Sequence, residues 1–169
     1  AAALGAGGIA GVAPAFAQSA AGSVGKTHHA LLIAATTYPN LPPKASLVGP
    51  NNDAALVRDF LTSNAPVRFQ PANIKVLADG IPADGAPTRE TIRASLTELA
   101  DKAKAGDFVY LHFSGHGTQQ PAMDPSIEVD GLDECFLPAD TGMWKDRSQG
   151  IPNALIDKEI RDHLQAIRD

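Results

Sequence analysis

Apolar residues fall in short blocks along the chain, and the spacing within each block predicts the element it builds. Ala30-Leu31-Leu32-Ile33-Ala34 is an unbroken apolar run, of the length of a strand buried on both faces. A turn-rich stretch with Pro39, Asn40, Pro42 and Pro43 follows. Asn51-Asn52-Asp53 then offers capping side chains for a helix whose apolar face carries Val57, Phe60 and Leu61. Ile74-Lys75-Val76-Leu77 predicts a second strand, ended by Asp79-Gly80. Thr88 caps a second helix, in which Ile92, Leu96 and Leu99 recur at i, i+4 and i+7 on one face before Gly106-Asp107. Phe108 to Phe113, dense in β-branched and aromatic residues, gives the strongest strand signal. Cys135-Phe136-Leu137 predicts a brief strand, and Asp157 opens a last helix with Ile160, Leu164 and Ile167 inward. Strand alternating with helix is the order of an α/β fold, a mostly parallel sheet flanked by helices. A further strand is expected after the last helix, beyond Asp169.

Composition narrows the class. With 44% hydrophobic and 20% charged residues, the chain reads as a soluble globular protein, and its 169 residues suffice for one domain with a real core. A net charge of −5 argues against a nucleic-acid surface, and no basic cluster marks a membrane-surface site. Cys135 is the single cysteine, so neither an internal disulfide nor a multi-cysteine zinc site is possible within this chain. Ala1 to Ala17 contains only small or apolar residues, and Ala15-Phe16-Ala17 has the small-x-small pattern of a signal-peptidase site. This stretch is too short to span a membrane. It reads as a signal peptide over 1–17 whose own start is missing, followed by a small-residue linker over 18–28 and a single domain over 29–169. Export to the periplasm or the extracellular space is expected; a disordered Ala/Gly-rich leader is the plainer alternative.

Functional groups in open α/β sheets gather at the carboxyl ends of strands. Ser114-Gly115-His116-Gly117 lies there, directly after the strongest strand. Flanking glycines free the backbone and clear space beside the ring, and an imidazole so placed can act as a general base. On these four residues alone, a turn with an exposed histidine is equally good. Downstream come Glu128-x-Asp130-Gly131-x-Asp133-Glu134 and Leu137-Pro138-Ala139-Asp140. Together with Ala30-Leu31-Leu32-Ile33, Asn52-Asp53-Ala54, Pro87-Thr88-x-x-x-Ile92, Gly106-Asp107, Phe113 to Gln119 and Ile156-Asp157-x-Glu159, this arrangement resembles the caspase-like cysteine peptidases, most closely the metacaspase branch.

The resemblance implies a caspase-like three-layer sandwich, cut off before the strand that carries the nucleophile. It assigns His116 to the histidine of a Cys–His dyad and the Gly117 N–H to an oxyanion-hole donor. Asp53 and Ser114 correspond to the pocket for a basic side chain, which a carboxylate suits; Asp53 also reads as a helix N-cap. The implied substrate is a polypeptide cleaved after Arg or Lys, with no nucleic-acid partner and no membrane role beyond export. In metacaspases the nucleophile sits in an Asp-x-Cys-His-x-Gly type of motif after the last helix seen here. Cys135 instead lies in a short apolar strand, where free cysteine behaves as a small hydrophobe. A calcium site is also implied, at Asp133 and Asp157, although Lys158 stands where a second adjacent aspartate would be expected. A solvated acidic loop is the alternative, and Leu137 at the closing position excludes an EF-hand. His28-His29 reads as linker, since neighbours at a strand entrance face opposite ways. His112 reads as a core or sheet-edge residue and His163 as part of a polar helix face. Two rival functions remain at this level. One is a caspase-like module without peptidase activity, used for binding or assembly; the other is a gingipain- or legumain-like peptidase sharing the His-Gly element.

Overall fold

The computed structural model describes residues 26–169. The signal peptide expected over 1–17 and most of the linker lie outside the described residues. β1 (His28–Ala34), β2 (Ile74–Ala78) and β3 (Phe108–Ser114) form a parallel sheet in the order β2-β1-β3. Its central position explains the unbroken apolar run of β1, whose two faces both meet core. Ala30, Leu32 and Ala34 pack with Ala54 and Leu61 on one side, while Leu31 and Ile33 pack with Ile92, Leu96 and Leu99 on the other. Each such Leu or Ile, wholly removed from water, contributes about 1.5–3 kcal/mol as an upper bound. The first side is covered by α1 (Gly49–Asp59), the second by α2 (Arg89–Lys102) and by Ile160 and Ile167 of α3 (Asp157–Arg168). The result is the three-layer α/β arrangement expected.

A second, antiparallel sheet has the order β4-β5-β6, from β4 (Gly117–Pro121), β5 (Leu132–Phe136) and β6 (Leu155–Ile156). Only Gly115 and His116 separate β3 from β4, so the chain changes sheets at the histidine. Cys135 pairs with Thr118 on one side and Ile156 on the other, and packs with Ile151 and Ala154 in a small core of its own.

Some local expectations are corrected. α1 starts at Gly49, with Val48 as its N-cap and Pro50 in its first turn. Proline's fixed φ and missing N–H suit that place, so Asn51 to Asp53 lie inside the helix and do not cap it. Asn51 instead donates to the Asp79 carbonyl at 2.9 Å. The helix widens into a π-type turn over Phe60–Asn64, which buries Leu61 and leaves Phe60 half exposed. Leu164 is also exposed, because the inward stripe of α3 runs through Ile160 and Ile167. His28 belongs to β1, not to a linker, and its ring lies against Phe69 and Phe108 at 5.3 and 5.6 Å. Thr88 caps α2 as expected, in a reciprocal box with Thr91.

Candidate active site

The carboxyl ends of β1, β2 and β3 converge on a loop, residues 35–48, that arches over the end of the sheet. Asp79, just after β2, fixes its base: one carboxylate oxygen accepts from the Thr36 N–H at 2.8 Å and the other from Thr37. The Ala35 N–H donates to the Ser114 carbonyl at 2.9 Å, tying the loop to β3. Pro42 and Pro43 then favour a tight 3-10 turn over Pro43–Ala45. The last carbonyls of such a turn lack partners within it, and the Ala45 carbonyl lies 2.7 Å from His116 Nε2.

That contact sets the chemistry of the ring. A carbonyl oxygen only accepts, so in the neutral imidazole Nε2 carries the hydrogen and Nδ1 keeps its lone pair. His116 is positioned from a second direction by Tyr38, which is nearly fully buried. The Tyr38 hydroxyl accepts from the His116 N–H at 3.0 Å and donates to the Ala35 carbonyl at 3.2 Å, and the two rings lie 5.1 Å apart. Burial raises the Tyr38 pKa, so the phenol stays a neutral donor and acceptor. Space beside the histidine is tight at Gly115: a Cβ there would lie 3.0 Å from the Phe136 ring and 3.1 Å from the Tyr38 hydroxyl, so these side chains would have to shift by a few tenths of an ångström. At Gly117 an added Cβ would meet only an ordinary contact with the Cys135 carbonyl, at 3.7 Å. Leu137 N–H donates to the His116 carbonyl at 2.9 Å, and Gly117 lies opposite Phe136. By the alternation of antiparallel ladders, Gly117 is therefore a non-bonded position whose N–H turns away from β5.

Asp53 and Ser114 are brought together, although 61 residues apart: the Ser114 hydroxyl donates to an Asp53 carboxylate oxygen at 2.8 Å. Asp53 is otherwise exposed. Four of the sequence-predicted site residues, His116, Gly117, Asp53 and Ser114, thus sit at one end of one sheet. Cys135 is not available as a nucleophile. It is buried, and burial, followed by the Asp133, Asp157 and Glu134 carboxylates, pushes its thiol up to about 11.

Asp133 and Asp157 belong to a different place. Asp133 pairs with Gln120, further along the β4–β5 ladder than Gly117, and Asp157 opens α3. Both point at the ammonium of Lys158, at 2.5 and 3.4 Å, and Glu128 joins them there. Burial disfavours the Asp133 charge, but hydrogen bonds from Lys158 and the Met123 N–H outweigh it and hold the carboxyl below its ordinary range. With the ammonium at the centre these residues do not fit calcium, and no cluster of three or more His, Cys, Asp or Glu among the described residues could hold a metal ion.

Tyr38, Asp79 and the Ala45 carbonyl were not legible as site groups. Pro42-Pro43 was the one available signal, since it marks the turn that offers the carbonyl. A cavity of about 260 Å³ lies at the opposite, amino end of the sheet, lined by His29, Lys75, Glu98 and Lys102 among others. It contains none of His116, Gly117, Asp53 or Ser114, and His116 is half-buried.

Comparison with known proteins agrees with this architecture. The family model for the metacaspase, peptidase C14 domain matches residues 28–167. Metacaspase-6 of Arabidopsis thaliana is 38% identical over 61% of this chain and 27% of its own length. Metacaspase-4 of the same plant is 36% identical over 71% and 28%. Metacaspase-1 of Plasmodium falciparum is 32% identical over 80% and 20%. The chain thus spans about a quarter of the length of the curated relatives it matches. The crystal structure of a Geobacter sulfurreducens protein superposes with a TM-score of 0.57 at 23% identity, covering 83% of this chain and 45% of that one, which supports the fold alone. With its sheet order, its Ser-Gly-His-Gly turn and a matched span of 28–167, the chain belongs to the metacaspase family of peptidase C14 domains.

Proposed function

We propose that this domain supplies the histidine half of a cysteine endopeptidase site that cleaves polypeptides after Arg or Lys, outside the cytoplasm. The nucleophilic cysteine comes from polypeptide following Asp169, on a strand that pairs with β3. Two features of β3 support that pairing. It gives the strongest strand signal in the chain, yet its residues are only half-buried or exposed, and among the described strands it pairs with β1 alone.

The observation that carries the proposal is the contact between His116 Nε2 and the Ala45 carbonyl. It leaves Nδ1 as the base. Nδ1 takes the thiol proton, and the thiolate attacks the scissile carbonyl to form a C–S bond. The Gly117 N–H, which turns away from β5, donates to the oxyanion, a role worth about 10²–10³ in rate. The imidazolium returns its proton to the leaving amine as the C–N bond breaks. Water then attacks the acyl-enzyme, His116 takes a proton from it, and the sulfur leaves and is reprotonated. Asp53, oriented by the Ser114 hydroxyl, meets the guanidinium or ammonium of the residue before the cut.

The test is turnover of Arg- and Lys-containing fluorogenic peptides by the full-length protein. His116→Ala is expected to lose about a thousandfold or more in kcat/KM; a loss under tenfold, or no turnover by the parent protein, favours a binding module without peptidase activity. Asp53→Asn is expected to raise KM for Arg substrates at least tenfold while Tm stays within about 1 °C, because Asp53 is exposed and caps nothing. Equal losses of Tm and activity would make Asp53 a structural residue.

A further inference from the structure

Lys158 stands where the electrostatics of a helix would not put it. It is the second residue of α3, and positive charge at a helix N-terminus is opposed by the macrodipole. Its neighbours Asp157 and Glu159 carry the favoured sign. The Lys158 side chain is nevertheless only 12% exposed, so the ammonium has been drawn inward. It meets carboxylates from three separate segments: Glu128 in the connection between β4 and β5, Asp133 in β5 at 2.5 Å, and Asp157 at 3.4 Å. An ammonium has three N–H donors, one for each carboxylate.

Asp133 makes this arrangement obligatory. Its side chain is wholly buried, one oxygen accepts from Lys158 and the other from the Met123 N–H at 2.9 Å. A buried carboxylate without a partner cation is strongly unfavourable, so the chain must place a positive charge at this junction. Carboxylates converging from several segments form the kind of donor set a divalent cation uses, but calcium needs six to eight oxygens. Here both Asp133 oxygens already have hydrogen-bond donors.

We infer that the Lys158 ammonium is a built-in cation that takes the place of a divalent metal ion. It holds the 122–131 connection, β5 and the start of α3 together without calcium. Because α3 is also clasped to α2 through Glu159, which pairs with Arg89 and Arg93, the same residue links the antiparallel sheet to the helical layer behind the parallel one. The inference rests on the fold and on these ion pairs, not on the peptidase reading, and its test does not depend on turnover.

Thermal unfolding and calorimetric titration of the full-length protein decide it. With Lys158 present, 10 mM CaCl₂ or EDTA should move Tm by less than about 1 °C and calcium should give no binding heat. Lys158→Met should lower Tm by about 10 °C, with no recovery in calcium, because Asp133 loses its counter-charge and nothing replaces it. Lys158→Asp should be destabilised without calcium and recover about 5 °C or more with it, with a binding heat that Asp133→Ala abolishes. Should this variant fold only in calcium, the same conclusion holds. Calcium binding by the parent protein that Asp133→Ala removes would overturn the inference. So would a Lys158→Asp variant that gains no calcium response.

Discussion

At the scale of single residues, two candidate nucleophile-site groups of this chain are separated by their surroundings more than by their chemistry. His116 is held at the mouth of the sheet by a carbonyl and a tyrosine hydroxyl, and the carbonyl contact leaves the lone pair of the neutral imidazole on Nδ1. Cys135 is packed with Ile151 and Ala154 and surrounded by carboxylates, and its thiol is pushed up to about 11. Near neutral pH the thiolate fraction is therefore vanishingly small, and the raised value means that it grows only well above pH 9. The folded chain is expected to resist iodoacetamide at pH 7.5, with labelling of Cys135 at least a hundredfold slower than in urea, followed by mass spectrometry. Cys135→Ala should leave peptide turnover by the full-length protein unchanged within about twofold. Rapid labelling in the native state, or loss of turnover in that variant, would return Cys135 to the list of nucleophiles.

Elements differ in how far the sequence alone reveals them, and the difference is physical. β1, β2, β3 and α2 announce themselves because each is specified locally: an apolar run of strand length, or an i, i+4, i+7 stripe behind a Thr88 cap. β4 does not, since Gly117 to Pro121 is polar and only Gln120 of it is buried. Its conformation comes from pairing with β5, a tertiary contact that no local pattern encodes. The start of α1 was misplaced for a related reason: Asn51 looks like a cap but its amide is used by the Asp79 carbonyl across the loop. In the site, the place of His116 after the strongest strand left a base and an exposed turn residue equally good, and family resemblance decided between them, as it alone pointed to Asp53 and Ser114. The Ala45 carbonyl could not be read from side chains, because its contribution is backbone. The acidic loop left a calcium site and a solvated surface both open, and what its carboxylates meet turned on whether Lys158 folds back from the helix.

For the molecule as a whole, its charged groups are placed at the junctions between layers, which makes its stability depend on acid in a definite direction. Asp107 accepts from the Thr27 and Lys104 N–H groups, at 2.8 and 3.0 Å, pinning the chain before β1 to the turn before β3. Those backbone hydrogen bonds hold its carboxyl below the ordinary range. Glu98 bridges Lys102 and Lys75, joining α2 to β2, and hydrogen bonds from the two lysines bring it to about 2. Asp133, paired with Lys158, is likewise lowered. A carboxyl whose folded pKa lies below its unfolded value stabilises the fold fully above the unfolded value, near 4. That contribution is lost as pH falls through the folded value. Tm is therefore expected to be flat between pH 6 and 5 and to fall steadily from about pH 4.5 toward pH 2. Glu98 should account for little of the loss, because it is 43% exposed and screened by salt. Loss of negative charge also leaves 14 Lys and Arg side chains uncompensated, which adds repulsion in the same direction. The check is Tm by circular dichroism across this range, repeated with Asp107→Asn. That variant should start lower at pH 6 and lose less on acidification, since its share is already gone. A parent curve that stays flat to pH 3 would show that these junction carboxylates do not govern stability.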